Sequence, residues 1–446
     1  MMEPPSAPGT EKPRRLLRCR PAAGSMIVVL SATSLLAVCT SASASNPSRP
    51  RGVAVVPDTA TAHGPTSFYE PPDPLPPARP GTLIRDQIVT GVPGITTDDT
   101  LWRILYHSRT IAGGDIAVSG YVVVPSAPVP RDGYPILSWA HGTTGAATKC
   151  APSLFNALEG EGPYLVPDIT KYLKAGWLIA ATDYQGLGVS EGVHPYLVGE
   201  SEGKGVLDAA KAARQLPRLR VSRTTLLYGH SQGGQAALFA GELAQSYAPS
   251  LQVIGVVAAA PATGLSTIVS VIGQINAPDD LAYFTLIGWT WSQTYPGLPA
   301  SDIFTAAGAL FARQIVTEHC DNGLVTELAS RSSRTEFLTD ASTNPELVAL
   351  ARLNNPGQVR TKAPMLIVQG TGDNQVPAPL TDQFVSRMAC PIGDHVDYVH
   401  YTGATHDQIP FRSAPLILSW ATSRLNRLEA PDTCGEQRDF SIKPAT

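Results

Sequence analysis

The 446-residue sequence is poor in charge. Asp, Glu, Lys and Arg make up 16% of it, with 33 Lys and Arg against 37 Asp and Glu, a net charge of −4. Such a chain lacks the basic surface that holds nucleic acid, and no nucleic-acid partner is expected. Aromatic residues are few, at 7%. Six cysteines are too few for a disulfide-built scaffold but enough for two or three staples. No apolar run reaches the roughly 18 residues that a membrane-spanning helix needs. The sequence has no H-E-x-x-H, no close Cys/His pairing for zinc, no G-x-x-x-x-G-K-[ST] and no G-x-G-x-x-G. Neither a metal nor a cofactor is therefore expected. What is plentiful is apolar residue (43%), Gly (39) and Pro (40), enough for a sizeable core crossed by many turns.

The first 44 residues read as a secretory signal. Arg14, Arg15, Arg18 and Arg20 form a positive n-region, and Met26 to Val38 is a 13-residue apolar stretch. Ala42-Ser43-Ala44 supplies the A-x-A cleavage pattern. Leu36-Ala37-Val38-Cys39 is a poor lipoprotein box, because Val38 is bulky where a small residue is wanted. Cleavage after Ala44 would remove five basic and two acidic residues, leaving 28 Lys and Arg against 35 Asp and Glu, a net charge of −7. It would also remove Cys19 and Cys39 and leave Cys150, Cys320, Cys390 and Cys434. An even number of cysteines in an exported protein implies disulfides.

Residues 45–82 hold ten prolines and are expected to form an extended arm or linker. From residue 83 the pattern becomes that of a folded domain. Leu101–Arg109 and Ile116–Val124 look like an antiparallel hairpin turning at Gly113-Gly114-Asp115. Short, nearly all-apolar runs follow at Pro135–Trp139, Trp177–Ala181, Thr224–Tyr228, Val253–Ala259 and Pro364–Val368, and a last strand at Val396–Tyr401. Helical spacing appears at Gly205–Gln215 and Leu416–Leu425. Strands that are apolar on both faces belong to parallel sheets covered by crossover helices. Between them, residues 262–357 carry no strong strand and several amphipathic segments, at Ser266–Gln274, Asp302–Thr317 and Pro345–Leu353. This stretch is expected to be a helical insertion between two parts of one α/β core, residues 83–261 and 358–446.

The sharpest motif is Gly229-His230-Ser231-Gln232-Gly233-Gly234, placed between an apolar strand and an Ala-rich helix beginning near Gln235. The G-x-S-x-G nucleophile elbow needs this strand–turn–helix context, because its serine sits on a tight turn where neighbouring backbone must come close. A serine hydroxyl needs a base at neutral pH. An acid and a histidine follow in the required order, each on a loop at the end of a strand: Asp373 after Pro364–Val368 and His406 after Val396–Tyr401. His400 lies inside a strand, His230 should point away from the serine, Asp407 is adjacent to His406, and Asp321 and Asp340 lie in the insertion, so all five are weaker candidates. For the oxyanion hole the expected donors are the backbone N–H of Gln232, which follows the nucleophile, and that of Thr143 in His141-Gly142-Thr143-Thr144-Gly145, with a Thr143 or Thr144 hydroxyl assisting.

From about residue 85 to 435 these motifs, with Asp183-Tyr184-Gln185-Gly186-Leu187-Gly188, resemble the α/β-hydrolase superfamily and within it the secretory lipase family of Candida lipase A type. The resemblance implies an α/β-hydrolase fold: a mostly parallel central sheet flanked by helices, with a helical cap inserted between nucleophile and acid. It implies hydrolysis of carboxylic esters by a Ser231–Asp373–His406 triad through an acyl-enzyme, with lipid substrates, triacylglycerols foremost, and transient contact with a lipid interface. A short-chain or aryl carboxylesterase is the nearest alternative. A serine peptidase and an inactive binding protein on the same scaffold stand behind it. Of the three pairings open to the four cysteines, Cys150–Cys320 and Cys390–Cys434 are favoured. The first would tie cap to core, and the second would pin the C-terminal tail beside the acid–histidine segment.

Overall fold

Apolar alternation in the N-terminal third produces an antiparallel ribbon. The computed structural model describes residues 67–156, 164–189, 192–270, 278–330 and 337–434. Within them β1 (Leu83–Val89) pairs with β2 (Thr100–Arg109), which pairs with β3 (Asp115–Val124) in an unbroken register from Thr100↔Val124 to Arg109↔Asp115. The expected signal and residues 45–66 of the proline-rich stretch lie outside the described residues. The described part of that stretch, expected as an extended arm or linker, packs on the domain at Phe68 and Tyr69. Phe68 and Tyr69 are buried, the Tyr69 hydroxyl lies 2.8 Å from Ser153 Oγ, and the Arg103 guanidinium stacks over both rings.

The apolar runs that follow become β4 (Tyr134–Ala140), β5 (Leu178–Thr182), β6 (Val221–His230), β7 (Gln252–Ala259), β8 (Met365–Gly370) and β9 (Val396–Tyr401). Among the described residues the sheet order is β1-β2-β3-β5-β4-β6-β7-β8-β9. Every pairing from β5 to β9 is parallel. Parallel neighbours require crossovers, and helices supply them. These are α1 (Ile169–Lys174) before β5, α2 (Gly199–Ala213) before β6 and α3 (Gln232–Tyr247) before β7. Successive strand residues serve opposite faces: Leu227 packs with the Ala-rich sides of α2 and α3, while Leu226 and Tyr228 pack with Tyr172 of α1 and Trp420. Both faces are thus covered, which is why these strands read as continuous apolar runs.

Between β7 and β8 the described chain forms five helices: α4 (Leu265–Ser270), α5 (Pro278–Thr294), α6 (Ala306–Glu318), α7 (Asp321–Ala329) and α8 (Pro345–Leu353). They enclose a separate apolar cluster around Phe284, Trp291, Phe304 and Leu324. Thr305 and Asn344 cap α6 and α8 by accepting from Gly308 N and Leu347 N. The Cys150–Cys320 disulfide joins the start of α7 to the segment after β4, and Cys390–Cys434 joins the C-terminal segment to the chain before β9. Two helices follow the last crossover, α9 (Ala378–Phe384), and β9: α10 (Ile409–Arg412) and α11 (Ala414–Leu425).

Candidate active site

Ser231 stands between β6 and α3 with φ +57° and ψ −122°, a left-handed conformation that a non-glycine residue takes only when its surroundings impose it. They do so through glycine. A Cβ at Gly229 would lie 1.9 Å from the Gly233 oxygen, and one at Gly233 would lie 1.9 Å from the Ala140 oxygen. No side chain fits at either place. The turn is held by Ser231 N donating to Ala259 O (3.0 Å) and by Gln235 N and Ala262 N donating to Ser231 O.

Asp373 and His406 meet over the ends of β8 and β9. His406 Nδ1 lies 2.8 Å from Asp373 Oδ2, with both residues buried. The other carboxylate oxygen accepts from Gln375 N (3.0 Å) and Val376 N (2.8 Å), and Gln369 Nε2 donates to Oδ2 (3.0 Å). Four donors therefore fix the acid, and the acid fixes the ring with Nδ1 as the donor. His406 Nε2 is buried and has no hydrogen-bond partner. His406 lines a cavity of about 550 Å³ together with Ser231.

His230, expected to point away from the serine, lines the same cavity as Ser231. It turns under His406, with its Nε2 3.1 Å from the His406 carbonyl oxygen. Burial, then the nearby His406, pushes the His230 imidazole well below its ordinary range. Of the other weaker candidates, two lie away from the cavity and two line it. His400 bonds Asp382 Oδ1 and the Tyr398 hydroxyl, each at 2.9 Å. Asp340 accepts from Ser342 Oγ at the surface. Asp321 and Asp407 line the cavity.

Thr143 follows β4 and lines the cavity with Ser231, while its hydroxyl lies 2.8 Å from the Tyr196 hydroxyl. Thr144 Oγ1 is buried without a partner, and Thr144 O accepts from Asp321 N at the start of α7 (3.1 Å). The Asp183–Gly188 segment supports this loop from below. The Tyr184 hydroxyl donates to His141 O (3.0 Å), and Asp183 is fully buried between Ser119 Oγ (2.6 Å) and Ser153 N (2.9 Å). Burial lifts the Asp183 carboxyl to about 6.

Gln232 begins α3, so its backbone N–H lies at the positive end of the helix. Its side chain runs backward to two buried groups that sequence reasoning missed. Gln232 Nε2 lies 2.8 Å from Glu202 Oε1 and 2.9 Å from His194 Nε2. A glutamate in the first turn of a helix reads as solvated, and only Gly199 and Gly203 on either side of Glu202 hinted at close packing there.

A second cavity, of about 440 Å³, opens from Ser231, Thr143 and Tyr283 toward the helical insertion. Leu265, Ile268, Phe284, Ile287, Val376 and Leu380 line it. The first cavity instead carries Tyr164, Asp321, Asn322 and Asp407. The serine therefore stands where an apolar chamber and a more polar one meet.

The sequence pattern of a family described as secretory lipase matches residues 166–432. A probable inactive lipase of Mycobacterium tuberculosis is 27% identical over 371 residues, 80% of this chain and 81% of its own length. A secreted triacylglycerol lipase of Malassezia globosa is 25% identical over 396 residues, 84% of each chain. Among solved structures, Candida antarctica lipase A in its closed state superposes with a TM-score of 0.69 at 19% identity, covering 85% of this chain and 89% of that one. At that identity the likeness speaks for the fold.

Proposed function

We propose, for a chain that belongs to the secretory lipase family of ester hydrolases, that it is an exported enzyme cleaving lipid esters, triacylglycerols foremost, with Ser231 as nucleophile. The observation that carries the reading is the buried Asp373–His406 pair, whose Nε2 is left unpartnered and whose histidine lines one cavity with a strained Ser231. Ser231 Oγ attacks the ester carbonyl carbon while His406 Nε2 takes its proton. Asp373 holds the ring and stabilises its charged form. The oxyanion accepts from the backbone N–H groups of Gln232 and Thr143, interactions each worth about 2.7–4 kcal/mol in the transition state of such enzymes. The tetrahedral intermediate collapses, and His406 returns the proton to the departing alcohol. Water, deprotonated by the same nitrogen, then attacks the acyl-enzyme and releases the acid.

The acyl chain occupies the apolar chamber under the helical insertion, and the alcohol leaves through the more polar one. Export rests on the signal-like first 44 residues. The test is the chain-length profile on tributyrin and triolein emulsions beside soluble p-nitrophenyl esters. Turnover of the long-chain emulsion is expected. Activity confined to soluble short-chain or aryl esters would replace the lipase reading with a carboxylesterase.

A further inference from the structure

Glu202 lies on α2, beneath the nucleophile turn, and is fully buried. A carboxyl group is costly to bury, and such groups persist where they hold something in place. One oxygen, Oε1, accepts from Gln232 Nε2 (2.8 Å) and from Leu197 N (2.7 Å). The two donors lead to opposite sides of the oxyanion hole. Gln232 supplies one backbone N–H. Leu197, in a left-handed conformation with φ +54°, follows Tyr196, whose hydroxyl holds the Thr143 side chain.

We propose that Glu202 is a positioning residue for both oxyanion donors, its single oxygen Oε1 tying the Gln232 side chain to the Tyr196–Leu197 segment that supports Thr143. The proposal rests on the assignment of Gln232 and Thr143 as those donors.

His194 completes the arrangement. Its Nδ1 donates to Gln185 O (3.0 Å), so its Nε2 presents a lone pair to Gln232. Both hydrogens of the Gln232 amide are then used, one on Glu202 and one on His194, and the side chain has one way to sit. Burial keeps the His194 imidazole neutral, down to about 3. Glu202 Oε2 is buried with no partner. An ionised carboxylate would leave a bare charge there, which favours the neutral acid. Burial lifts the carboxyl to about 8. The titratable groups facing it are His194 and Tyr196 from the segment before α2 and Tyr184 from the segment after β5. None of the three brings a positive charge to hold the anion. Ionisation of Glu202 places negative charge behind Gln232, on the far side of an N–H that must stabilise a developing oxyanion. It therefore opposes the transition state.

The experiment compares wild type, Glu202→Ala and Glu202→Gln by kcat and KM on a soluble ester from pH 6 to 9.5. Glu202→Ala is expected to lower kcat by about ten- to a hundredfold with KM within about threefold, less than the loss of a whole oxyanion donor. Glu202→Gln keeps the accepting oxygen and a neutral donor. It should rescue most of kcat at pH 6 and lack the alkaline decline near pH 8 that is expected of wild type. A Glu202→Ala kcat within about threefold of wild type would overturn the proposal, and so would identical alkaline limbs in wild type and Glu202→Gln. If Glu202→Ala does not fold, the Glu202→Gln profile decides alone. Fluorophosphonate labelling of wild type separates the two levels of the argument. A wild type that neither labels nor hydrolyses sinks the serine-hydrolase reading and this proposal together. An active wild type with indifferent variants sinks only the role of Glu202.

Discussion

The His230 ring lies 4.7 Å from that of His406, and its Nε2 donates to the His406 carbonyl oxygen at 3.1 Å. The histidine proposed as the catalytic base is thus gripped twice, at Nδ1 by Asp373 and at its own backbone by the residue before Ser231. Because burial keeps His230 neutral, the grip adds no charge beside a ring that must accept a proton. His230→Ala should lower kcat by about tenfold while KM changes little, since it removes orientation and not substrate contact. Steady-state kinetics on a soluble ester check this, and an unchanged kcat would show that Asp373 alone suffices.

The glycines of the turn carry a stability prediction. Gly233→Ala would force a Cβ into the Ala140 oxygen at 1.9 Å, whereas Gly176, with φ +83°, has nothing within 4 Å of its Cβ position. Overpacking typically costs about 1–3 kcal/mol and more when backbone is the obstacle. Gly233→Ala should therefore lower the thermal midpoint well beyond Gly176→Ala, measured by circular dichroism, or yield no soluble protein.

The two disulfides should separate in their effects. Cys150–Cys320 closes 170 residues of sequence, and Gly145 of the oxyanion loop bridges to Cys320. Cys390–Cys434 closes 44 residues away from the nucleophile. Replacing either pair with serine should cost about 2–4 kcal/mol of stability. Only loss of the first should also slow hydrolysis at a temperature where both variants remain folded.

Stability should fall between about pH 6.5 and pH 8.5. Burial raises Glu242 from 4.5 to about 7 and Glu202 from 4.5 to about 8. A carboxyl raised in the folded state contributes stability that is present below its unfolded value and lost as pH rises through its folded value. Buried His141 moves the other way, from 6.5 to about 4, and His194 to about 3, so their contribution is present above 6.5 and lost as pH falls. Above 6.5 the histidines are neutral in both states and the two glutamates decide the slope. Thermal midpoints across this window should decline in wild type and decline less in Glu202→Gln.

The sheet was legible because its strands are buried on both faces. An apolar run such as Trp177–Ala181 has one reading, and the strand there, Leu178–Thr182, is buried throughout. β1 was not legible: Arg85-Asp86-Gln87 interrupts its apolar pattern, and the strand lies at the half-exposed edge. In the insertion, the amphipathic segment expected at Pro345–Leu353 is a helix with those bounds, and the structure adds its Asn344 cap. α5 was not legible, because it is apolar on most sides and shows no clean stripe. The pairing of Asp373 with His406 was legible from their strand-end positions. Glu202, His194 and Tyr196 were not, because their partners come from distant segments and nothing local marks a buried polar group.

The most direct measurement is intact mass and peptide mapping after treatment with a fluorophosphonate, on wild type and on Ser231→Ala. One adduct per chain, on the peptide containing Ser231, is predicted for wild type, together with loss of ester hydrolysis. No adduct is predicted for Ser231→Ala. An unlabelled wild type, or an adduct that survives in Ser231→Ala, would contradict the assignment of Ser231 as nucleophile.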